Sequence, residues 1–157
     1  MSHVTITRVF EIDYGHRLLK HPGKCVNYHG HRGRFEVTVR APVGADGMVV
    51  DFGVIKHALG NWLDAYWDHA MILQAGDELY ERMRDMGMKV YLLEAPPTVE
   101  NLVQHFALDI ARGLLRHADE ALVLEHVRLY ETPNCWADWT RATTKSTPTF
   151  LSMATYE

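Results

Sequence analysis

Every even position from 4 to 14 is apolar except Arg8, the period of two that predicts a strand with one buried face. A loop containing Pro22 and Gly23 follows, and residues 34–41 resume the alternation with the odd positions apolar. Pro42, Gly44, Asp46 and Gly47 mark a turn, and Met48-Val49-Val50 reads as a short extended piece. Asp51 is placed to cap a helix running to about residue 66. Its apolar stripe is Val54, Ile55, Ala58, Leu59, Trp62, Leu63 and Tyr66. A loop, a short helix over 77–86 with Gly87 at its C-cap, and a less regular strand over 89–93 come next. Pro96-Pro97 ends that strand, and Thr98 is placed to cap a second long helix striped by Leu102, Val103, Phe106, Ala107, Ile110, Ala111, Leu114 and Leu115. Residues 123–131 read as extended, and a further strand is expected at 150–156. Strands packed on two amphipathic helices predict an α+β layer with an antiparallel sheet, as one domain over 1–157.

Composition narrows the function classes. Apolar residues make up 47% of the chain and charged residues 23%, globular values that exclude a disordered or fibrous chain. No apolar run approaches the roughly 18 residues of a membrane helix, and the N-terminus lacks a basic stretch followed by an apolar one, so a soluble, cytoplasmic protein is expected. The net charge is −4 with no basic stripe, which argues against nucleic acid as a partner. Two cysteines, Cys25 and Cys135, are too few for a disulfide framework. Histidine is unusually frequent, at 10 residues.

Three of those histidines cluster in sequence. His29 and His31 are two apart, so an extended backbone sends both side chains to one face, the core face of Phe35, Val37 and Val39. His16 shares the parity of Phe10, Ile12 and Tyr14. If the two strands pair without a bulge at Gly15 or Gly33, the three imidazoles converge. Three imidazoles with no obvious fourth protein ligand match a catalytic zinc site, in which one position stays open; a His-Gly-His surface turn is the simpler alternative. Cys25, beside Pro22-Gly23-Lys24, is either a thiolate base or nucleophile near the metal or a spectator thiol. Cys135 reads as a spectator. Asp68-His69 follows the first long helix; a carboxylate-oriented imidazole moves protons, but chain neighbours commonly point apart. Glu131 shares the inward parity of Val127 and Leu129, and a buried carboxylate requires a partner. That partner is a structural Arg or the amino-amide edge of a heterocycle, which a carboxylate grips with two hydrogen bonds. His57 and His105 fall on polar helix sides and read as solvated.

The set Gly15-His16-Arg17-Leu18, Cys25-x-x-x-His29-Gly30-His31, Gly47-Met48-Val49-Val50-Asp51-Phe52, Asp68-His69, Pro97-Thr98-Val99-Glu100-Asn101 and Val127-Arg128-Leu129-Tyr130-Glu131-Thr132 resembles the 6-pyruvoyl-tetrahydropterin synthase family. The gap between Cys25 and His29 is similar to that of its bacterial 6-carboxytetrahydropterin synthase branch. The resemblance covers about residues 4–139 and implies a tunnelling fold, assembled as a homo-oligomer (hexamer or tetramer) with active sites between subunits. It implies Zn2+ on His16, His29 and His31, Cys25 as catalytic thiolate, Asp68 and His69 as a proton relay, and Glu131 with Thr98 as pterin anchors. The implied reaction is a lyase step converting 7,8-dihydroneopterin triphosphate to 6-carboxy-5,6,7,8-tetrahydropterin, acetaldehyde and triphosphate, toward queuosine. Lys24 or Arg17 is expected to meet the leaving triphosphate. Within the fold the rival is a pyruvoyl-forming synthase; outside it, a zinc hydrolase or a non-catalytic pterin-binding module. Three positions depart from the family pattern: Arg32 replaces the usual Asn, Tyr14 replaces a small residue, and Ala70-Met71-Ile72-Leu73-Gln74 replaces the usual ending after Asp68-His69.

Overall fold

The structure, a computed structural model, describes residues 3–142. The strand expected at 150–156 lies outside the described residues. Strands β1 (His3–His16) and β2 (His29–Pro42) pair antiparallel along their full length, from His3 opposite Pro42 to His16 opposite His29. β5 (Val123–Thr132) adds to β2, and β6 (Cys135–Thr140) adds to β5, both antiparallel. On the other side of β1, two short strands, β3 (Ala70–Gln74) and β4 (Val90–Leu93), run parallel to it, giving the order β4-β3-β1-β2-β5-β6.

The sheet is therefore mixed, with the expected antiparallel half formed by the four strands β1, β2, β5 and β6. β3 has no counterpart in the sequence-based reading, because Ala70, Ile72 and Leu73 are all buried and give neither alternation nor helical period. β6 is likewise not among the strands the sequence predicts; a two-residue connection, Pro133-Asn134, separates it from β5. Residues 48–50 form no strand but close a loop, in which the Gly44 amide donates to the Met48 carbonyl at 2.7 Å.

Two long helices cover one face of the sheet. The first, α1 (52–66), contains a wider-turned segment at Lys56–Gly60; the second, α3 (99–118), contains one at Phe106–Ala111. Between them lies α2 (Glu78–Asp85). Asp51 caps α1 by accepting from the Gly53 amide, and Thr98 caps α3 by accepting from the Asn101 amide at 3.3 Å. The helix stripes turn to the sheet except at Tyr66, which is exposed at the end of α1: Ile55, Leu59 and Leu63 from α1, with Leu102, Phe106 and Leu115 from α3, meet Phe35, Val37, Val127 and Leu129. Phe35 and Phe106 pack with ring centroids 4.8 Å apart. Each such side chain contributes about 1.5–3 kcal/mol on burial, which makes the β1–β2–β5 face the rigid floor on which the histidines stand. Among the described residues no helix is long and apolar enough to cross a membrane.

Candidate functional site

The β1–β2 register places His16 opposite His29 and Tyr14 opposite His31, with no bulge at Gly15 or Gly33. The parity argument therefore holds, and the three rings converge with centroid separations of 4.6, 5.1 and 5.0 Å. One nitrogen from each lies within 4.8 Å of the others. Gly15 and Gly30 face each other across the strands, and a Cβ on Gly30 would sit 3.0 Å from the Tyr14 carbonyl oxygen, so the smallest residue lets the two histidine-bearing strands approach.

Two backbone carbonyls orient the rings. His16 Nδ1 lies 2.7 Å from the Pro97 carbonyl oxygen, and His29 Nδ1 lies 2.7 Å from the Asn27 carbonyl oxygen. A carbonyl only accepts, so both Nδ1 atoms carry the proton and both Nε2 atoms present lone pairs. Those two Nε2 atoms face each other at 3.1 Å, and the buried His31 Nε2 has no hydrogen-bond partner among the described residues. Lone pairs held at that distance repel unless a cation lies among them, and neutral imidazole nitrogen is a good ligand for zinc. His16, His29 and His31 could thus hold a metal ion, and their chemistry suits Zn2+.

Burial pushes the pKa of His16 down to about 4; the Pro97 carbonyl opposes the shift, and the neighbouring imidazoles add to it. Burial also lowers His31, against the pull of Glu131. In metal-free protein His16 stays neutral when folded but protonates near pH 6.5 when unfolded. Stability is then complete above pH 6.5 and falls by about 3 kcal/mol as the pH drops toward 4. Thermal unfolding in chelator should show this slope, and His16→Asn should remove the larger part of it.

Glu131 stands beside the cluster, with Oε1 3.4 Å from His16 Nε2 and 3.6 Å from His31 Nε2. Among the described residues no arginine or lysine forms an ion pair with it, so the structural-Arg alternative has no counterpart. Thr98 follows Pro97, whose carbonyl anchors His16, which brings the start of α3 to the same corner.

Asp68 and His69, neighbours on the chain, do meet. His69 has a left-handed backbone with φ of 58°, which turns its ring back so that Nδ1 lies 2.9 Å from Asp68 Oδ2. Such a conformation costs a non-glycine residue roughly 1–2 kcal/mol. Several contacts hold it: the His69 amide donates to the Asp13 carbonyl at 2.6 Å, the Asp13 amide donates to Asp68 Oδ1 at 2.9 Å, and Lys89 Nζ donates to the Asp68 carbonyl at 2.6 Å. Burial opposes ionisation of Asp68, but the Asp13 amide and His69 outweigh it and hold the carboxyl below its ordinary range. Since the carboxylate takes the Nδ1 proton, His69 Nε2 is the nitrogen available for exchange. Nothing in the local sequence signals the left-handed turn or the role of Lys89.

A cavity of about 620 Å³ brings His69 together with His29 and His31, walled by Tyr28, Met83 and Lys89. A second, of about 420 Å³, opens on the far side of His31 and contains Glu131 and Tyr130. Gly30, His31 and Arg32 border both. Cys25 is a free, half-buried thiol in the short turn Lys24–Val26, outside the three-imidazole group. Arg32 pairs with Glu11 at 2.7 Å. Arg17, one of the cations expected to meet triphosphate, is instead gripped by Asp77. His105 is not solvated as its helix position suggested: it is half-buried, bonded to the Tyr91 hydroxyl and Asp109 at 2.7 Å each, and stacked on Trp67.

Known proteins resemble this chain in sequence and in fold. A family model described as 6-pyruvoyl tetrahydropterin synthase matches residues 5–142. A Rickettsia bellii protein named 6-carboxy-5,6,7,8-tetrahydropterin synthase is 38% identical over 86% of this chain and 99% of its own. A protein of the same name from Aquifex aeolicus is 30% identical over 90% of this chain and 94% of its own. Among solved structures, the 6-pyruvoyl tetrahydropterin synthase of Caenorhabditis elegans superposes with a TM-score of 0.64 at 24% identity, covering 90% of this chain and 98% of that one. An uncharacterized protein from Wolinella succinogenes does so with a TM-score of 0.75 at 19% identity, covering 90% and 100%. The fold is thus the tunnelling fold, and the chain belongs to the 6-pyruvoyl tetrahydropterin synthase family.

Proposed function

We propose that this chain is a zinc-dependent lyase converting 7,8-dihydroneopterin triphosphate and one water to 6-carboxy-5,6,7,8-tetrahydropterin, acetaldehyde and triphosphate. The observation that carries the reading is the convergence of three imidazole nitrogens beside Glu131, a carboxylate with no guanidinium partner among the described residues. Relatives 36–38% identical over 86% of the chain are named for that product, which favours it over the pyruvoyl pterin.

Each residue has a distinct task. Glu131 receives the amino-amide edge of the pterin through two parallel hydrogen bonds, with Thr98 closing the same corner. When bound to His16, His29 and His31, zinc supplies a Lewis acid that acidifies the C–H bonds beside the substrate's side-chain oxygens. The Cys25 thiolate takes the proton from the carbon adjacent to the phosphate-bearing one, and the electron pair left behind expels triphosphate. His69, its Nδ1 held by Asp68, delivers or accepts the second proton through Nε2. A carboxypterin of this kind suits the assembly of 7-deazaguanine nucleosides such as queuosine.

The catalytic unit is a homo-oligomer, hexameric or tetrameric, with sites completed between subunits. Two features support this. β3 pairs with β1 at residues 14–16, and among the described residues no strand pairs with the outer edge of β1 before residue 14. His69 is 76% exposed in the single chain, a poor setting for proton transfer that excludes water.

The test is incubation of zinc-loaded protein with dihydroneopterin triphosphate, followed by product mass and aldehyde trapping. One acetaldehyde per triphosphate is expected. Triphosphate without aldehyde would assign the pyruvoyl-forming reaction, and unchanged substrate would remove the lyase assignment.

A further inference from the structure

The segment joining β1 to β2 carries Cys25, and its two ends meet on one guanidinium. Arg17, immediately after His16, donates from Nε to Asp77 Oδ2 at 2.7 Å and from Nη2 to Asp77 Oδ1 at 2.5 Å. The same guanidinium lies 4.4 Å from the ring centroid of Tyr28, immediately before His29. Asp77 is almost wholly buried and caps α2, accepting from the Leu79 amide at 2.9 Å. Burial alone would raise its pKa, but Arg17 and the Leu79 amide hold it below the ordinary carboxylate range. Inside the segment the Leu18 amide donates to the Cys25 carbonyl at 2.8 Å, and the His21 amide donates to the Leu18 carbonyl at 3.1 Å. Displacement of Arg17 therefore passes through Leu18 to Cys25. α2, whose Met83 walls the large cavity, is tied to the same point.

We propose that Arg17, clamped between Asp77 and Tyr28, is the positioning residue that fixes the Cys25 segment against the histidine cluster, with α2 as its anchor. The proposal rests on Cys25 being the base. Three features favour positioning over anion binding. Both Nε and Nη2 are spent on Asp77, the partner carboxylate is buried, and a face of the guanidinium is covered by Tyr28. A planar fork that is bidentate on one side and stacked on the other cannot be reproduced by an ammonium, so Arg17→Lys is not conservative here.

The experiment uses a Cys135→Ser background, in which Cys25 is the remaining thiol. In zinc-loaded protein, kcat, KM, zinc content and the rate of Cys25 alkylation by iodoacetamide are measured for Arg17→Lys, Tyr28→Phe, Tyr28→Ala and Cys25→Ala. For Arg17→Lys, kcat should fall about 10–100-fold, the scale of a displacement near 1 Å. KM should stay within about twofold, because the pterin is held at Glu131, and zinc should remain at one per chain. Cys25 alkylation should speed up severalfold as the segment loosens. Tyr28→Phe keeps the aromatic face, so its rate of Cys25 alkylation should match the parent. Tyr28→Ala, at an exposed residue whose loss does not threaten the core, should shift alkylation in the same direction and carries the test if Arg17→Lys does not fold. Parent-like kcat and alkylation in Arg17→Lys, or parent-like alkylation in Tyr28→Ala where the former does not fold, would overturn the clamp. If Cys25→Ala itself turns over normally, the base assignment fails, and the alkylation rates alone decide whether the segment is clamped.

Discussion

Replacing Cys25 by Ala is expected to lower kcat by about 10³-fold while zinc stays at one per chain. The two halves of that result have different physical origins. Zinc stays because the convergent donors are three imidazoles, and the thiol stands outside their group. The rate falls because no other group in the site supplies a polarizable sulfur base. Steady-state turnover together with metal analysis of the purified variant checks both. Loss of zinc along with the thiol would make Cys25 a fourth ligand and close the open coordination position. Near-normal turnover would favour attack by metal-bound water, the chemistry of the rival zinc hydrolase.

Replacing His29 by Ala is expected to remove metal and turnover together while leaving the fold intact. Bound structural zinc is worth roughly 10–16 kcal/mol spread over its ligands, so loss of one donor costs roughly 3–5 kcal/mol, or about 10²–10⁴-fold in affinity. His29 is the informative choice, because His16 is buried and its removal would also open a cavity in the core, whereas His29 is only half-buried. Competition with a chromophoric chelator measures the affinity, and circular dichroism checks the fold. A variant that holds zinc as tightly as the parent would show that the imidazole convergence is incidental packing. A variant that loses zinc yet keeps full turnover would leave the metal without a part in the chemistry. His69 should behave differently: it lies on the same cavity but outside the ligand group, so its replacement affects rate and not metal.

The sequence by itself determined the layers of this protein and the face on which its three histidines gather. Period-two burial in β1 and β2 fixed which face each histidine leaves by, and the apolar stripes of α1 and α3 fixed what covers that face; both are consequences of backbone geometry acting over a few residues. Tertiary structure alone decided the rest. β3 is a short apolar run that becomes a strand because α1 returns the chain alongside β1. The carbonyl that orients His16 belongs to Pro97, far along the chain, and any residue type could have supplied it. The carboxylate that grips Arg17 likewise comes from the distant Asp77. The Asp68–His69 contact depends on a left-handed residue held by Asp13 and Lys89. Local pattern encodes which side of an element is buried; it carries no information about which distant backbone group will arrive there, because backbone carbonyls and amides are the same at every position.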